Sequence, residues 1–443
     1  MISPEKLTIQ TLLYIFWQIV CFLFGRPRIE CIINIAKFLT SINIIYSKLF
    51  QTLSAGTNIL TVKEMKFLSR YNDSAPYSSD DTYNIYDVID ELNCMSEAES
   101  KDVLILKPGI EPRSGMIAIV YYCRLGDIDV VIKVKRRGIK EKLCDGIEKM
   151  EFIVWLIGYI PYLNKLNLHL VFQENKHDML SQCDFNDELN NMRDMKHNFR
   201  NINYVTIPIA YEQYTKINSN IIVMEQIKGK RLHDGDFYVN NEMKPTFGDL
   251  VAKFNAKSIL YDRLYHADLH AGNIFFDDST PDSLKIGIID FGLVGKMSKL
   301  EQEKLFSFFQ KILIDNDPCE ASKIILTHLV LPKDKYQTLT LSSSQILHRE
   351  ITNIAKELIN TTNELDIRTA YKINSVLYKY GMTLSREFSK IQLALAVSGN
   401  VCNDLCSTGT SYSKLAVQAV SEMTKCIGSL NEYSDIHAQS FKR

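Results

Sequence analysis

The sequence predicts an α+β chain of two lobes, and three observations support this. Strand-like segments concentrate between about residues 101 and 228, the chain beyond Lys299 is nearly all helical by pattern, and a helical stretch precedes both. At 443 residues the chain is long enough for two or three domains at roughly 100–200 residues each. The expected division is a helical extension over 1–100, a strand-bearing lobe over 101–228 and a C-terminal lobe over 229–443 that ends in an all-helical part. With 46% hydrophobic and 23% charged residues, a disordered, collagen-like or coiled-coil chain is excluded. Lys+Arg is 51 against Asp+Glu 52, so sequence-independent nucleic-acid binding, which needs a basic surface, is not expected.

The first 70 residues read as helices, with apolar stretches at Ile32–Ala36 and Ile42–Leu49. Leu7 to Gly25 is a run of 19 residues without a charge, followed by Arg26 and Arg28. That length just suffices to span a bilayer, while Thr8, Gln10, Thr11 and Gln18 also suit a helix lying at an interface or buried in the protein. Membrane association is the expectation. Ten scattered cysteines with no C-x-x-C pair fit reduced thiols in an intracellular protein better than a disulfide framework or a zinc site.

Residues 71–100 are polar and acidic, a linker with a short helix. Met116–Leu125, the turn signal Gly126–Asp127 and Ile128–Lys135 read as a β-hairpin. Asp178–Arg200 is charged and helical, Tyr204–Tyr211 and Asn220–Ile227 are strand-like, and Phe247–Leu264 has the pattern of an amphipathic helix. Asn273–Phe276 and Leu284–Ile289 are short strands around a loop.

Three segments carry chemistry. In Val130-Val131-Ile132-Lys133-Val134, a lysine sits inside an apolar strand, sharing a face with Val131 and Lys135. A buried ammonium needs a partner, and the charged helix containing Asp184-Phe185-Asn186-Asp187-Glu188 offers Glu188. In His266-Ala267-Asp268-Leu269-His270-Ala271-Gly272-Asn273, Asp268 and Asn273 have the D-x-x-x-x-N spacing of a phosphotransferase catalytic loop. A carboxylate there can orient an attacking hydroxyl, and an amide oxygen can ligate magnesium. The two histidines read as structural members of the loop. Asp290-Phe291-Gly292 ends an apolar strand 17 residues after Asn273, placing Asp290 where a second oxygen ligand is required. Lysine, then Asp…Asn, then Asp is the order of parts in a kinase, and Met224-Glu225-Gln226-Ile227 falls where a kinase offers backbone groups to adenine.

The match extends beyond kinases in general. His266–Asn273 resembles the H-x-D-x-H-P-G-N loop of the UbiB (aarF-domain) atypical kinases, with Ala271 in place of the proline. V-V-I-K-V-K-R-R-G-I resembles that family's V-A-V-K-V-Q-R-P-G-I, Asp184-Phe185 with Glu188 and Asn191 its D-F-x-x-E-A-x-N helix, and Met224-Glu225 to Gly229 its M-E-x-x-x-G segment. Lys48-Leu49-Phe50-Gln51-Thr52-Leu53-Ser54 is similar to its K-x-G-Q-x-x-S helix, with Phe50 at the glycine.

The resemblance implies a two-lobed protein-kinase-like fold and an atypical kinase or ATPase using ATP or ADP with Mg²⁺. Asp268, Lys133 and Glu188 would be catalytic, and Asn273 and Asp290 would hold the metal. Lys133, Gly115, Ala118, Glu225 and Ile227 would line the nucleotide. Lys48 and Gln51 would lie on a regulatory helix over the site that blocks large protein acceptors. The implied partners are the nucleotide, membrane lipid and enzymes of isoprenoid-lipid (ubiquinone) metabolism. Two other readings stand beside it: a small-molecule phosphotransferase of the aminoglycoside or choline kinase type, and a nucleotide-binding scaffold without turnover.

Overall fold

The structure, a computed structural model, describes residues 4–43, 45–46, 61, 63–64, 67, 77, 79–96, 102–157, 159, 168–232, 242–280, 283–360, 367–406 and 418. It divides into two compact units, one of residues 1–189 with 209–226 and one of residues 190–208 with 227–443.

The first unit opens with helices α1 (Pro4–Leu23) and α2 (Arg28–Ile42), joined at Gly25, whose φ of +96° suits glycine. Tyr14 stacks on Phe38 at 4.0 Å between ring centroids, holding the two helices together. No helix among the described residues is long and apolar enough to cross a membrane. Helix α3 (Ile85–Ser96) leads into β1 (Leu104–Leu106), β2 (Arg113–Ser114), β3 (Ala118–Leu125) and β4 (Ile128–Lys135). The hairpin falls where the sequence places it: Leu125 pairs with Ile128 around Gly126, which has φ +57°.

Helices α4 (Ile139–Ile157), α5 (Leu168–Ser181) and α6 (Phe185–Asn198) follow. The single charged helix expected over 178–200 is thus two, because Asp184 starts a new one. Its carboxylate accepts from the N–H groups of Asn186 and Asp187, satisfying donors that a helix start leaves open. After α7 (Glu212–Ile217), strand β6 (Ile221–Glu225) completes an antiparallel sheet of order β1-β3-β4-β6, with β2 on β3.

Strand alternation separates the two faces of this sheet. Val130, Ile132 and Val134 point into a core with Leu104, Cys123, Leu125, Ile221 and Val223, closed by Val88, Ile89 and Leu92 of α3 and by Tyr214. Val131 and Lys133 are buried on the other face.

The second unit contains β5 (Val205–Thr206), α8 (Lys244–Lys257), β7 (Leu264–His266), β8 (Ile274–Asp277), β9 (Lys285–Ile288) and β10 (Val294–Lys296). Strands β8 and β9 form an antiparallel hairpin with β5 parallel to β9, and β7 pairs with β10. Helices α9 (Lys299–Phe309), α10 (Pro318–His328), α11 (Leu341–Asn360), α12 (Ile367–Tyr378) and α13 (Arg386–Leu405) make up most of the rest.

Three expectations need correction. The strand expected over 204–211 is only Val205–Thr206 and an isolated bridge at Ala210, because Pro208 has no N–H for a ladder. The C-terminal part is not all helical: β11 (Val330–Leu331) pairs with β12 (Thr383–Leu384), and the Asn374 side chain accepts from the Leu384 N–H. The helix expected to reach Leu264 ends as α-helix at Lys257 and continues as a π-helical turn over Ser258–Asp262. Inside that turn Lys257 Nζ bonds both Asp262 carboxylate oxygens at 2.7 Å, and the Gln302 amide donates to the carbonyls of Leu260 and Tyr261. Arg263, at φ +56°, then stops the helix and releases β7.

Candidate functional site

The candidate residues fall into two groups, one in each unit. In the first unit, Lys133 Nζ donates to Glu188 Oε1 at 2.6 Å. Lys133 is 7% exposed and Glu188 1%. The residues are 55 apart in sequence, and the pairing expected from the pattern is present. β4 directs Lys133 to the face away from the main core, and Asp184, by capping α6, sets Glu188 in that helix's first turn. Phe185, fully buried, lies 5.5 Å from Lys133 Nζ and 4.6 Å from Lys135 Nζ, so one ring supports both cations. Burial lowers the Lys135 pKa, opposed by the negative charges of Asp184 and Glu188 and by Cys183.

Gly115 lies in the tight connection between β2 and β3, and Ala118 opens β3. The Gly115 N–H donates to Ala118 O at 2.9 Å, and Ser114 pairs with Ile119. Sequence reasoning overlooked the residue that holds this connection. Buried Arg136 donates through Nη2 to Ser114 Oγ at 2.6 Å and through Nε to Gly115 O at 3.0 Å. Its signal in the sequence was a cation directly after β4, within a basic run. Glu225 joins β4 through Val130, and its carboxylate accepts from the Ile209 N–H at 3.0 Å. The Gln226 N–H donates to Asp129 O, so that donor serves the sheet. Ile227, in the second unit, is buried against Gly287.

In the second unit the β8–β9 register, Ile274 opposite Ile288, brings Asn273 and Asp290 to the same end of the hairpin. The Ile289 N–H donates to Asn273 O at 3.0 Å. Asn273 Nδ2 donates to Asp268 O at 2.9 Å, which fixes the amide and leaves Oδ1 as the atom suited to a cation. Asp290 has φ +62°, an uncommon backbone state for a non-glycine residue, and its Oδ1 accepts from the Gly292 N–H.

His266, 1% exposed, explains how the loop is held. Its Nδ1 accepts from the Asp268 N–H and its Nε2 donates to Ile289 O, so one neutral imidazole ties the loop to the strand before Asp290. Burial holds its pKa below the ordinary value, favouring this neutral form. His270 Nδ1 accepts from the Gly272 N–H and caps the 3-10 turn Ala271–Asn273. Both histidines thus act within the loop. Asn191 of α6 donates to Phe291 O at 3.1 Å, a contact beside Asp290 that the sequence motif contained without a stated role. Among the described residues there is no group of three or more His, Cys, Asp or Glu that could hold a metal ion. The side-chain oxygens of Asn273 and Asp290 are donors of the kind that could hold a hard cation. Lys48 and Gln51 lie outside the described residues.

A buried strand lysine paired with a helical glutamate, and a D-x-x-x-x-N loop tied to an Asp-Phe-Gly strand end, define a kinase-like domain. Residues 114–324 match the family model described as the ABC1 atypical kinase-like domain, and this stretch is similar to the UbiB and aarF-domain atypical kinases. The chain is 27% identical over 206 residues to a probable protein kinase UbiB of Tolumonas auensis, covering 45% of this chain and 37% of that one. It is 30% identical over 187 residues to the Glaesserella parasuis counterpart, covering 41% and 33%. An aarF domain-containing protein kinase of Arabidopsis thaliana, described as uncharacterized and chloroplastic, is 28% identical over 218 residues, covering 48% and 39%. The match therefore spans little more than a third of these relatives' length. A Mycobacterium tuberculosis protein solved in complex with erythromycin aligns at 19% identity and TM-score 0.42, over 70% of this chain and 74% of that one.

Proposed function

We propose that this chain is an atypical kinase or ATPase of the UbiB type that binds ATP or ADP with Mg²⁺ and acts at a membrane in isoprenoid-lipid, ubiquinone-related metabolism. The observation that carries the reading is the buried Lys133–Glu188 pair. Two apolar residues would hold a fold at least as well as a buried ion pair, so a role in chemistry better accounts for the charges. Glu188 holds the ammonium in place, and the ammonium offers its charge to nucleotide phosphates. Asn273 and Asp290 would hold Mg²⁺, and the nucleotide supplies the phosphoryl group. Asp268 would orient the acceptor and take its proton. The ubiquinone connection rests on the UbiB name of the relatives.

The membrane reading is supported by α1. Leu13, Phe16 and Trp17 are exposed there, and Phe24 just past its end, next to Arg26 and Arg28. An apolar, aromatic surface on the uncharged run Leu7–Gly25, followed by arginines, suits an anionic bilayer surface. Lys48 and Gln51, by the family resemblance, would restrict access of large acceptors, so Lys48→Ala should raise autophosphorylation. Thermal shift with ADP or ATP, with and without Mg²⁺, tests the main reading. The wild type should gain about 2–3 kcal/mol at a hundredfold excess over Kd, and Asp290→Asn should lose the Mg²⁺-dependent part. Equal Mg²⁺-dependent stabilisation of both proteins overturns the metal assignment. No stabilisation of the wild type by either nucleotide overturns the function.

A further inference from the structure

The connection between β2 and β3 is fastened to a segment that precedes the kinase-like domain, and one guanidinium makes the attachment. Three nitrogens of Arg136 reach Gly115, Ser114 and Asp81. Nε donates to Gly115 O at 3.0 Å, Nη2 donates to Ser114 Oγ at 2.6 Å, and Nη1 lies 3.5 Å from Asp81 Oδ2. Its own N–H donates to Ile117 O at 2.9 Å. Arg136 thus touches the connection at Ser114, Gly115 and Ile117. Asp81, in turn, is held from three sides: by Arg136, by Lys142 Nζ at 2.6 Å, and through its carbonyl by the Arg137 N–H at 2.9 Å.

Arg136 is 3% exposed, and burial opposes its charge while Asp81 supports it. A rigid planar fork that bonds a hydroxyl, a carbonyl and a carboxylate at once fixes their relative positions, which a lysine's single ammonium cannot do. Loop carbonyls and hydroxyls are ordinarily left to water, so anchoring two of them to one buried cation removes freedom that the connection would otherwise have.

We propose that Arg136 is the positioning residue of the 114–118 connection and that Asp81, from outside the matched domain, sets nucleotide affinity through it. This rests on the Mg-nucleotide reading above. Neither residue touches the nucleotide; each acts by holding the connection in a conformation ready for it. The upstream segment then becomes a point at which affinity can be adjusted without altering Lys133, Asn273 or Asp290.

The test combines hydrogen exchange of the peptide covering residues 113–118 in nucleotide-free protein with ADP and ATP titrations, for the wild type, Asp81→Asn, Arg136→Lys and Lys142→Ala. Asp81→Asn and Arg136→Lys are expected to speed exchange in this peptide and to weaken nucleotide binding about tenfold, with the Mg²⁺ dependence retained. Lys142→Ala, which leaves the Arg136–Asp81 contact in place, should have a much smaller effect. Asp81→Asn that exchanges and binds as the wild type does refutes the assignment. So does faster exchange with unchanged affinity, since the contact is then structural only. Wild-type protein that binds neither nucleotide refutes the function proposed above, and this assignment with it.

Discussion

Lys133→Met would leave Glu188, 1% exposed, without its ammonium at 2.6 Å. Removing one partner of a buried pair costs about 3–5 kcal/mol. Protonation sets a ceiling, because the stranded carboxylate can take up a proton instead of remaining charged. From an ordinary glutamate pKa of about 4.3, that costs about 3.7 kcal/mol at pH 7 and about 1.6 kcal/mol at pH 5.5. The destabilisation should therefore shrink by about 2 kcal/mol across that range. At ~2–4 °C per kcal/mol, the melting temperature should fall by roughly 7–15 °C at pH 7 and by about half that or less at pH 5.5. Lys133→Met/Glu188→Leu, which replaces both charges with apolar groups, should recover most of the loss. Scanning calorimetry of the wild type, both single variants and the double variant at the two pH values provides the measurement. A Lys133→Met cost that does not change with pH, or single-variant losses that simply add in the double variant, would refute a coupled buried pair.

Other perturbations follow from the second unit. His266 has a pKa lowered by burial, so the unfolded chain binds a proton more readily than the folded one; stability is complete above about pH 6.5 and drains as pH falls, by up to about 1.4 kcal/mol per unit. His266→Gln in metal-free buffer should flatten that part of the stability–pH curve, and an unchanged slope would assign it to other groups. Gln302→Leu would remove the donor to the Leu260 and Tyr261 carbonyls and should cost about 1–3 kcal/mol, read by denaturant titration. Ser298→Ala removes the capping box of α9, in which Ser298 and Glu301 bond each other's backbone N–H, and should cost about 0.5–2 kcal/mol by the same measurement.

The readable and unreadable parts of the sequence differ in the range of the interactions that fix them. The β3–β4 hairpin was legible because alternation and the Gly126–Asp127 turn are local. The Lys133–Glu188 pair was legible for another reason: a charge inside an apolar strand demands a partner, and the motif on α6 supplied one. The Asp268, Asn273 and Asp290 group was legible as a spacing. Its construction was not, because it depends on His266 joining the Asp268 N–H to a carbonyl 23 residues further along. The break at Lys257 was missed because the apolar period runs on through Ser258–Asp262, whereas the π turn is held by Asp262 and by Gln302, more than 40 residues away.

Arg136 was hidden for a related reason. In sequence it is one of four basic residues between Lys133 and Arg137, the kind of run that usually marks a solvated face. Folding sorts these residues by strand parity and by the chain reversal after β4. Lys133 goes to Glu188, Lys135 to the Phe185 ring and the Ser219 carbonyl, and Arg136 to Asp81 and the β2–β3 connection. Arg137 lies over the Tyr83 ring. Four neighbouring cations thus end on different hydrogen-bond and ring partners, with the Phe185 ring shared by Lys133 and Lys135. Lys133 needs its partner because it is buried, and Arg136 could not be buried at all without a partner for each arm of its fork. That requirement makes Asp81 and the 114–118 connection answerable to the same residue, and it is why a substitution at Asp81, far upstream in the chain, should be felt at Gly115.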